Sequence, residues 1–159
     1  HKDDLIVPIR RSIPVGLVGG LLVGICLIPM SRLAGEKNYK IVNQLIENGA
    51  PEKQIYAIGE KASQGLPHSP YPSSKIAQVA LYFHRYEYAV EQLKESIRRT
   101  PHRSTYYAGL AQVYEKMGRT YDALTSIEQA LLWFPTNEDY KKIKSALIKN
   151  SNQSKKDVD

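Results

Sequence analysis

The sequence has one cysteine, four dispersed histidines and none of the short motifs that mark common catalytic sites. Cys26 cannot form an intrachain disulfide, so cysteine usage does not report the compartment. The histidines lack the spacing of metal ligands, and there is no phosphate-binding loop, dinucleotide fingerprint or nucleophile elbow. We therefore expect a protein that is not an enzyme and that binds no cofactor or metal.

The basic residues are not concentrated in any part of the chain. The net charge is +6, but these residues occur singly or in short pairs such as Arg98-Arg99. A nucleic-acid-binding protein would gather them on one face. The pattern argues against a nucleic-acid partner and suits a solvated surface next to anionic lipid headgroups.

One stretch, Ile13 to Met30, contains no charged residue at all. As a helix it would span roughly 27 Å, near the lower limit for crossing a bilayer. Pro14 suits the first helical turn, and Pro29 suits the exit. We predict a flank at 1–12 and a transmembrane helix at 13–30. A cleaved signal peptide is the alternative.

Three glycines in this stretch, Gly16, Gly20 and Gly24, recur every four residues. They share one helix face, which favours close packing against another membrane helix, although glycine is also common in transmembrane helices. The Arg10-Arg11 pair precedes the stretch, so the positive-inside rule puts the rest of the chain outside the cytoplasm. We predict a single-pass protein of the bacterial inner membrane, with the lipid bilayer as one partner and its folded domain in the periplasm.

The remainder repeats with a period of 34 residues, seen in Pro67, Pro101 and Pro135. Such a period is typical of stacked helical pairs. In the clearest unit, 104–137, the apolar residues of the first helix fall on one face. That unit resembles the tetratricopeptide repeat (TPR). The matching residues are Tyr107, Leu110, Ala111, Tyr114, Gly118, Ala123, Ile127, Ala130 and Pro135.

Two further units resemble the repeat less closely. Unit 70–103 has Ser73 in place of a bulky aromatic and His84 in place of the turn glycine, and His84 is interpreted as a turn residue rather than a ligand. Unit 36–69 is degenerate, because Gly59 stands where a large residue is expected.

The chain is predicted to close with a helix at 138–149, in which Tyr140, Ile143 and Leu147 face inward, and a disordered tail at 150–159. The predicted fold is therefore all-α. It has one N-terminal transmembrane helix, followed by an α-α superhelix of about three TPR-like helical hairpins and a capping helix.

The resemblance implies a concave surface lined by the first helix of each unit. The candidate protein-binding residues there are Lys40, Gln44, Tyr71, Gln78, Gln112 and Glu115. The three glutamines would form a ladder of amides able to hold an extended peptide or a neighbouring subunit's helix; a hydrated surface without a ligand is the alternative. Thr105 and Gly109 stand where some family members place basic residues that grip a chaperone carboxylate, so that role is not expected.

Two functions remain open. The chain is an accessory subunit or scaffold that assembles protein subunits of a larger membrane complex on its extracytoplasmic side. Alternatively, it is the C-terminal transmembrane helix and repeat region of a larger membrane enzyme that resembles O-antigen polymerases or ligases. The absence of an initiator methionine at His1 keeps the second reading open.

Overall fold

The computed structural model describes residues 15–156, and it describes side chains for residues 30–151. Across this range the chain is helical, with short connections between the helices. The helices are α1 (Val15–Glu47), α2 (Glu52–Gly65), α3 (Tyr71–Tyr82), α4 (Tyr86–Arg99), α5 (Ser104–Lys116), α6 (Thr120–Trp133) and α7 (Glu138–Lys156). Each helix packs against the next one along the chain, so α1–α2, α3–α4 and α5–α6 form three stacked hairpins with α7 at the end.

The predicted transmembrane segment receives no support. Of the residues that the structure describes, none belongs to a helix long and apolar enough to cross a membrane. Residues 1–14 lie outside that part of the chain, and so do the side-chain surroundings of 15–29, which include the face of Gly16, Gly20 and Gly24. The predicted span at 13–30 and the first helix of unit 36–69 are not separate elements, because α1 runs without a break from Val15 to Glu47. A proline inside a helix removes one backbone hydrogen bond, and the helix continues through Pro29 nonetheless.

Each hairpin turns at one residue with left-handed backbone. These residues are Gly49 (φ 65°), His84 (φ 58°) and Gly118 (φ 71°). The prediction that His84 is a turn residue is confirmed, although a side chain is disfavoured in this conformation. Its ring Nδ1 lies 2.9 Å from the Tyr86 hydroxyl, a hydrogen bond made within the turn.

Small side chains occupy several of the most buried positions of the core. Ala80, Ala89, Ala123 and Ala130 are fully buried, which allows the helices to approach closely. Gly59 in the degenerate first hairpin also allows a close approach between helices. A Cβ at Gly59 would lie 2.7 Å from Cγ1 of Ile76, so Ile76 of the second hairpin supplies the bulk that position 59 lacks.

A buried arginine joins the first two hairpins. The Arg99 guanidinium, with its side chain only 8% exposed, donates hydrogen bonds to the carbonyls of Leu66 (3.2 Å) and Ser69 (2.7 Å). It also donates to the Ser63 hydroxyl at 2.9 Å, and that hydroxyl lies 3.2 Å from the Ser73 hydroxyl. The buried Ser73 therefore lies in a polar neighbourhood, which suits a hydroxyl at this position.

Glu95 neutralises this arginine. Its carboxylate accepts hydrogen bonds from Arg98 and from Arg99, each at 2.7 Å. The hydrogen bond from Arg98 contributes most, and together these guanidinium groups lower the pKa of Glu95 to about 2.

The last helix runs past its predicted end. A disordered tail was expected from Asn150, but α7 continues to Lys156, and no glycine or proline lies between Glu138 and Lys156 to end it. Tyr140 and Leu147 are buried as predicted. Ile143 was expected to face inward as well, but it is 37% exposed and lies beside an open groove.

Candidate functional site: the concave groove

An open groove of about 570 Å³ lies across the first helices of the second and third hairpins and α7. This volume falls within the range of ligand sites in proteins. We call it the concave groove. Its lining residues are Ser74, Ala77, Gln78, Leu81, Leu93, Thr105, Tyr106, Ala108, Gly109, Gln112, Val113, Glu115, Tyr140 and Ile143.

The concave groove has an apolar floor and a polar rim. Ala77, Leu93 and Val113 are buried beneath it, whereas Gln78 and Gln112 on the rim are exposed. Side-chain amides both donate and accept hydrogen bonds, so they can pair with the backbone of an extended segment. The floor offers an apolar surface to that segment's side chains.

The length of the concave groove follows from helix α5. On α5 the lining residues run from Thr105 to Glu115, and these ten residue steps rise about 15 Å. An extended chain advances about 3.3 Å per residue. The groove therefore accommodates a segment of about four or five residues.

The end near Thr105 is aromatic and contacts α7. The Ser104 and Tyr140 hydroxyls lie 3.5 Å apart, which links α5 to α7. The Arg103 guanidinium lies 6.0 Å from the ring centroid of Tyr106 and 5.8 Å from that of Tyr71. Burial raises the pKa of the Tyr106 phenol, so it stays protonated near neutral pH.

Charge is scarce in the concave groove. Among the lining residues that the structure describes, Glu115 alone carries a charge. It is exposed at the end of α5, next to the turn at Gly118. The lining residues thus present one negative charge, and the Arg103 guanidinium lies beside Tyr106 at the other end of α5.

The structure brings together three of the six predicted protein-binding residues. Gln78, Gln112 and Glu115 line the concave groove, while Lys40 and Gln44 are exposed on α1 and do not line it. The predicted ladder of three glutamines therefore has two members in this groove.

Tyr71 lines a different cleft, which has a volume of about 500 Å³. That cleft lies between the N-terminal half of α1 and the α2–α3 loop, and its walls include Arg32 and His68. Equal spacing in sequence identifies equivalent helix positions, but the stacking of hairpins decides which of them share a groove.

Sequence reasoning missed Tyr106, Tyr140 and Ile143. Tyr140 and Ile143 belong to α7, which the sequence identified only as a cap. Tyr140 and Ile143 are three residues apart on an amphipathic helix and therefore share one face. This spacing was the signal in the sequence that could have assigned both residues to the groove. In residues 30–151 no group of three His, Cys, Asp or Glu side chains is arranged to hold a metal ion.

Comparison with solved structures shows a TPR-like fold. The TPR domain of Arabidopsis OM64 matches with a TM-score of 0.67 at 15% identity, covering 76% of this chain and 98% of that one. The Sgt2 TPR domain from Aspergillus fumigatus matches with a TM-score of 0.68 at 13% identity, covering 79% and 83%.

The first TPR of Spaghetti (RPAP3), bound to the HSP90 peptide SRMEEVD, matches with a TM-score of 0.68 at 11% identity, covering 76% of this chain and 94% of that one. No protein-family model and no curated protein matches the chain. At these identities the likeness concerns the fold, which is an all-α, TPR-like superhelix.

Proposed function

We propose that this protein is a non-catalytic scaffold that binds an extended segment of a partner protein in the concave groove. The observation that carries the proposal is the groove itself, with buried apolar side chains on its floor and the amides of Gln78 and Gln112 on its rim. Amides that pair with a peptide backbone give affinity without demanding a particular sequence, and the floor selects the side chains.

The charge of the concave groove suggests the chemistry of the partner segment. With Glu115 as the charged lining residue, a neutral or basic segment is favoured and an acidic one is repelled. The HSP90 peptide on the Spaghetti neighbour, SRMEEVD, is rich in acid. We infer that this chain selects a different class of peptide.

Selection from a random peptide library with the full chain in mild detergent tests this proposal. We expect the selected peptides to be neutral or basic and to carry apolar side chains. Glu115→Lys should shift the selection toward acidic peptides, whereas Glu91→Lys makes the same charge change on an exposed position of α4 outside the groove and should leave it unchanged. An identical shift in both variants would refute a local role for the groove.

The two amides can be tested in the same assay. A net hydrogen bond contributes about 0.5–1.5 kcal/mol, so Gln78→Ala combined with Gln112→Ala should weaken a selected peptide about tenfold. Gln129→Ala, at an exposed position of α6 outside the groove, is the matched control. Equal affinity of the double variant and the control would contradict the proposal.

We further propose that residues 13–30 anchor the chain in a membrane, with the hairpins on the extracytoplasmic side of a bacterial inner membrane. The support is the uncharged stretch and the preceding Arg10-Arg11 pair in the sequence. Flotation of the full chain with lipid vesicles tests the anchor, and a chain that stays at the bottom of the gradient would refute it.

The face of Gly16, Gly20 and Gly24 is proposed to dock on a helix of a larger membrane complex. Changing all three to leucine should release co-purifying membrane subunits while the chain stays in the membrane fraction. Unchanged co-purification would refute this docking.

The alternative is that the chain is the C-terminal part of a larger membrane enzyme of the O-antigen polymerase or ligase type. Intact mass measured from the native membrane separates these readings. A species near 18.0 kDa supports the scaffold subunit, and a much heavier one supports the enzyme.

A further inference from the structure

One edge of the hairpin array is formed by the connections between successive hairpins. We call it the loop edge and define it as residues 66–70, 100–103 and 134–137. Contacts join its parts. Arg99 at the end of α4 binds the carbonyls of Leu66 and Ser69, and the rings of His102 and Trp133 lie 4.4 Å apart. The turns at Gly49, His84 and Gly118 lie at the opposite ends of the same helices.

Helix α1 leaves the array at the loop edge. Gly35 meets Gly65 there backbone to backbone, since a Cβ on Gly65 would lie 2.6 Å from the Gly35 Cα. N-terminal to Gly35, α1 continues as one helix from Val15, and those 20 residues rise about 30 Å. The part of the proposed anchor that the structure describes, 15–30, therefore lies beyond the loop edge, on the side away from the turns.

Large apolar side chains are exposed along this edge. Met30 and Leu33 on α1 are each 69% exposed, and at the end of α6 Trp133 and Phe134 are 42% and 47% exposed. Leu132 beside them is 67% exposed. Tryptophan rings favour the headgroup level of a bilayer, where an apolar body and a polar N–H are both satisfied.

Basic side chains accompany these apolar ones. Arg32 and His68 line the cleft of about 500 Å³ that opens between α1 and the loop edge. Arg103 is exposed on the next connection. Arg32 is paired with Glu36 at 3.2 Å, and Glu138 is paired with Lys141 at 2.8 Å. The exposed Arg103 places a cation on the same edge as these apolar side chains, which suits a surface of anionic lipid headgroups.

We infer that the loop edge lies against the surface of the bilayer that holds the anchor, with Trp133 and Phe134 in the interface. This inference rests on the proposed membrane anchoring. Because α1 is continuous and is fixed to α2 at the Gly35–Gly65 contact, the array would stand upright on the membrane. The helices lining the concave groove would then run away from the bilayer, with Glu115 at the distal end.

Trp133 is the only tryptophan of the chain, so its fluorescence reports on this edge alone. The full chain is reconstituted in vesicles of equal parts phosphatidylcholine and phosphatidylglycerol, with or without bromine on the acyl chains near the headgroup. Since interfacial tryptophans sit at headgroup level, we expect the brominated lipid to reduce the Trp133 emission about twofold.

A matched control moves the tryptophan to the other edge. Tyr82 is 77% exposed beside the turn at His84, so Trp133→Phe combined with Tyr82→Trp should give emission that brominated lipid does not quench. Flotation with unquenched Trp133, or equal quenching at both positions, overturns the inference and leaves the anchor standing. Failure to float overturns the anchor and the inference together.

Discussion

Replacing Gly59 with alanine puts a methyl group where Ile76 already lies. The new Cβ would be 2.7 Å from Cγ1 and 2.8 Å from Cδ1 of Ile76, whose side chain is completely buried. Alanine gains about 1 kcal/mol over glycine in a helix interior, while overpacking a core costs about 1–3 kcal/mol. The net effect of Gly59→Ala should be a destabilisation of up to about 2 kcal/mol.

The effect of Gly59→Ala on the free energy of unfolding should change sign when the Ile76 side chain is truncated. Ile76→Ala alone should cost about 2–5 kcal/mol because it leaves a cavity. In that background the methyl at position 59 keeps only an ordinary contact with Val42 Cγ2 at 3.8 Å, so Gly59→Ala should restore about 1 kcal/mol from helix propensity. The double-mutant cycle therefore predicts a coupling of about 1–3 kcal/mol between the two positions.

Urea unfolding of the four variants, followed by helical circular dichroism, measures these values. Additive effects of the two substitutions would refute the view that the first hairpin packs on the second through this pair. Stabilisation by Gly59→Ala in the parent chain would refute it as well.

Three further predictions concern other contacts of the fold. Gly65→Ala should destabilise the chain more than Gly59→Ala, because its Cβ would meet the backbone of Gly35, and no side-chain truncation should rescue it. His84→Val should lower the thermal midpoint and His84→Gly should not, because the backbone at 84 has φ 58°. The pKa of Glu95 is lowered to about 2 in the folded chain. The free energy that ionised Glu95 contributes to folding should be full above about pH 5 and should be lost as the pH falls toward 2. The free energies of unfolding of Glu95→Gln and of the parent chain should therefore converge in acid.

The hairpins were readable from the sequence because the repeat is a local signal. A period of 34 residues and turn residues such as Gly118 identify helices without knowledge of their packing. The sequence did not predict that the Ile76 side chain fills the space left by Gly59. The two residues belong to different repeat units, and each unit is compared with the repeat pattern separately. The polar setting of Ser73 depends in the same way on Arg99, a residue of the following helix.

The candidate site was only partly predictable for a related reason. Gln78 and Gln112 occupy equivalent positions on α3 and α5 and share the concave groove, but Gln44 at the same position of α1 does not line it. Which equivalent positions converge depends on how the hairpins and α7 stack. Periodicity along the chain carries no information on that geometry, and for the same reason it did not place Ile143 of α7 in the lining of the groove.

Site-specific crosslinking tests the central claim most directly, namely that the concave groove holds a segment of another protein. A photoreactive residue replaces Gln112 in the groove or, as a control, Gln129 on the exposed side of α6 in the full chain, expressed in its native cells. We predict one discrete crosslinked partner from position 112, displaced by a peptide selected in vitro, and none from position 129. No product from position 112, or the same products from both positions, would contradict the account.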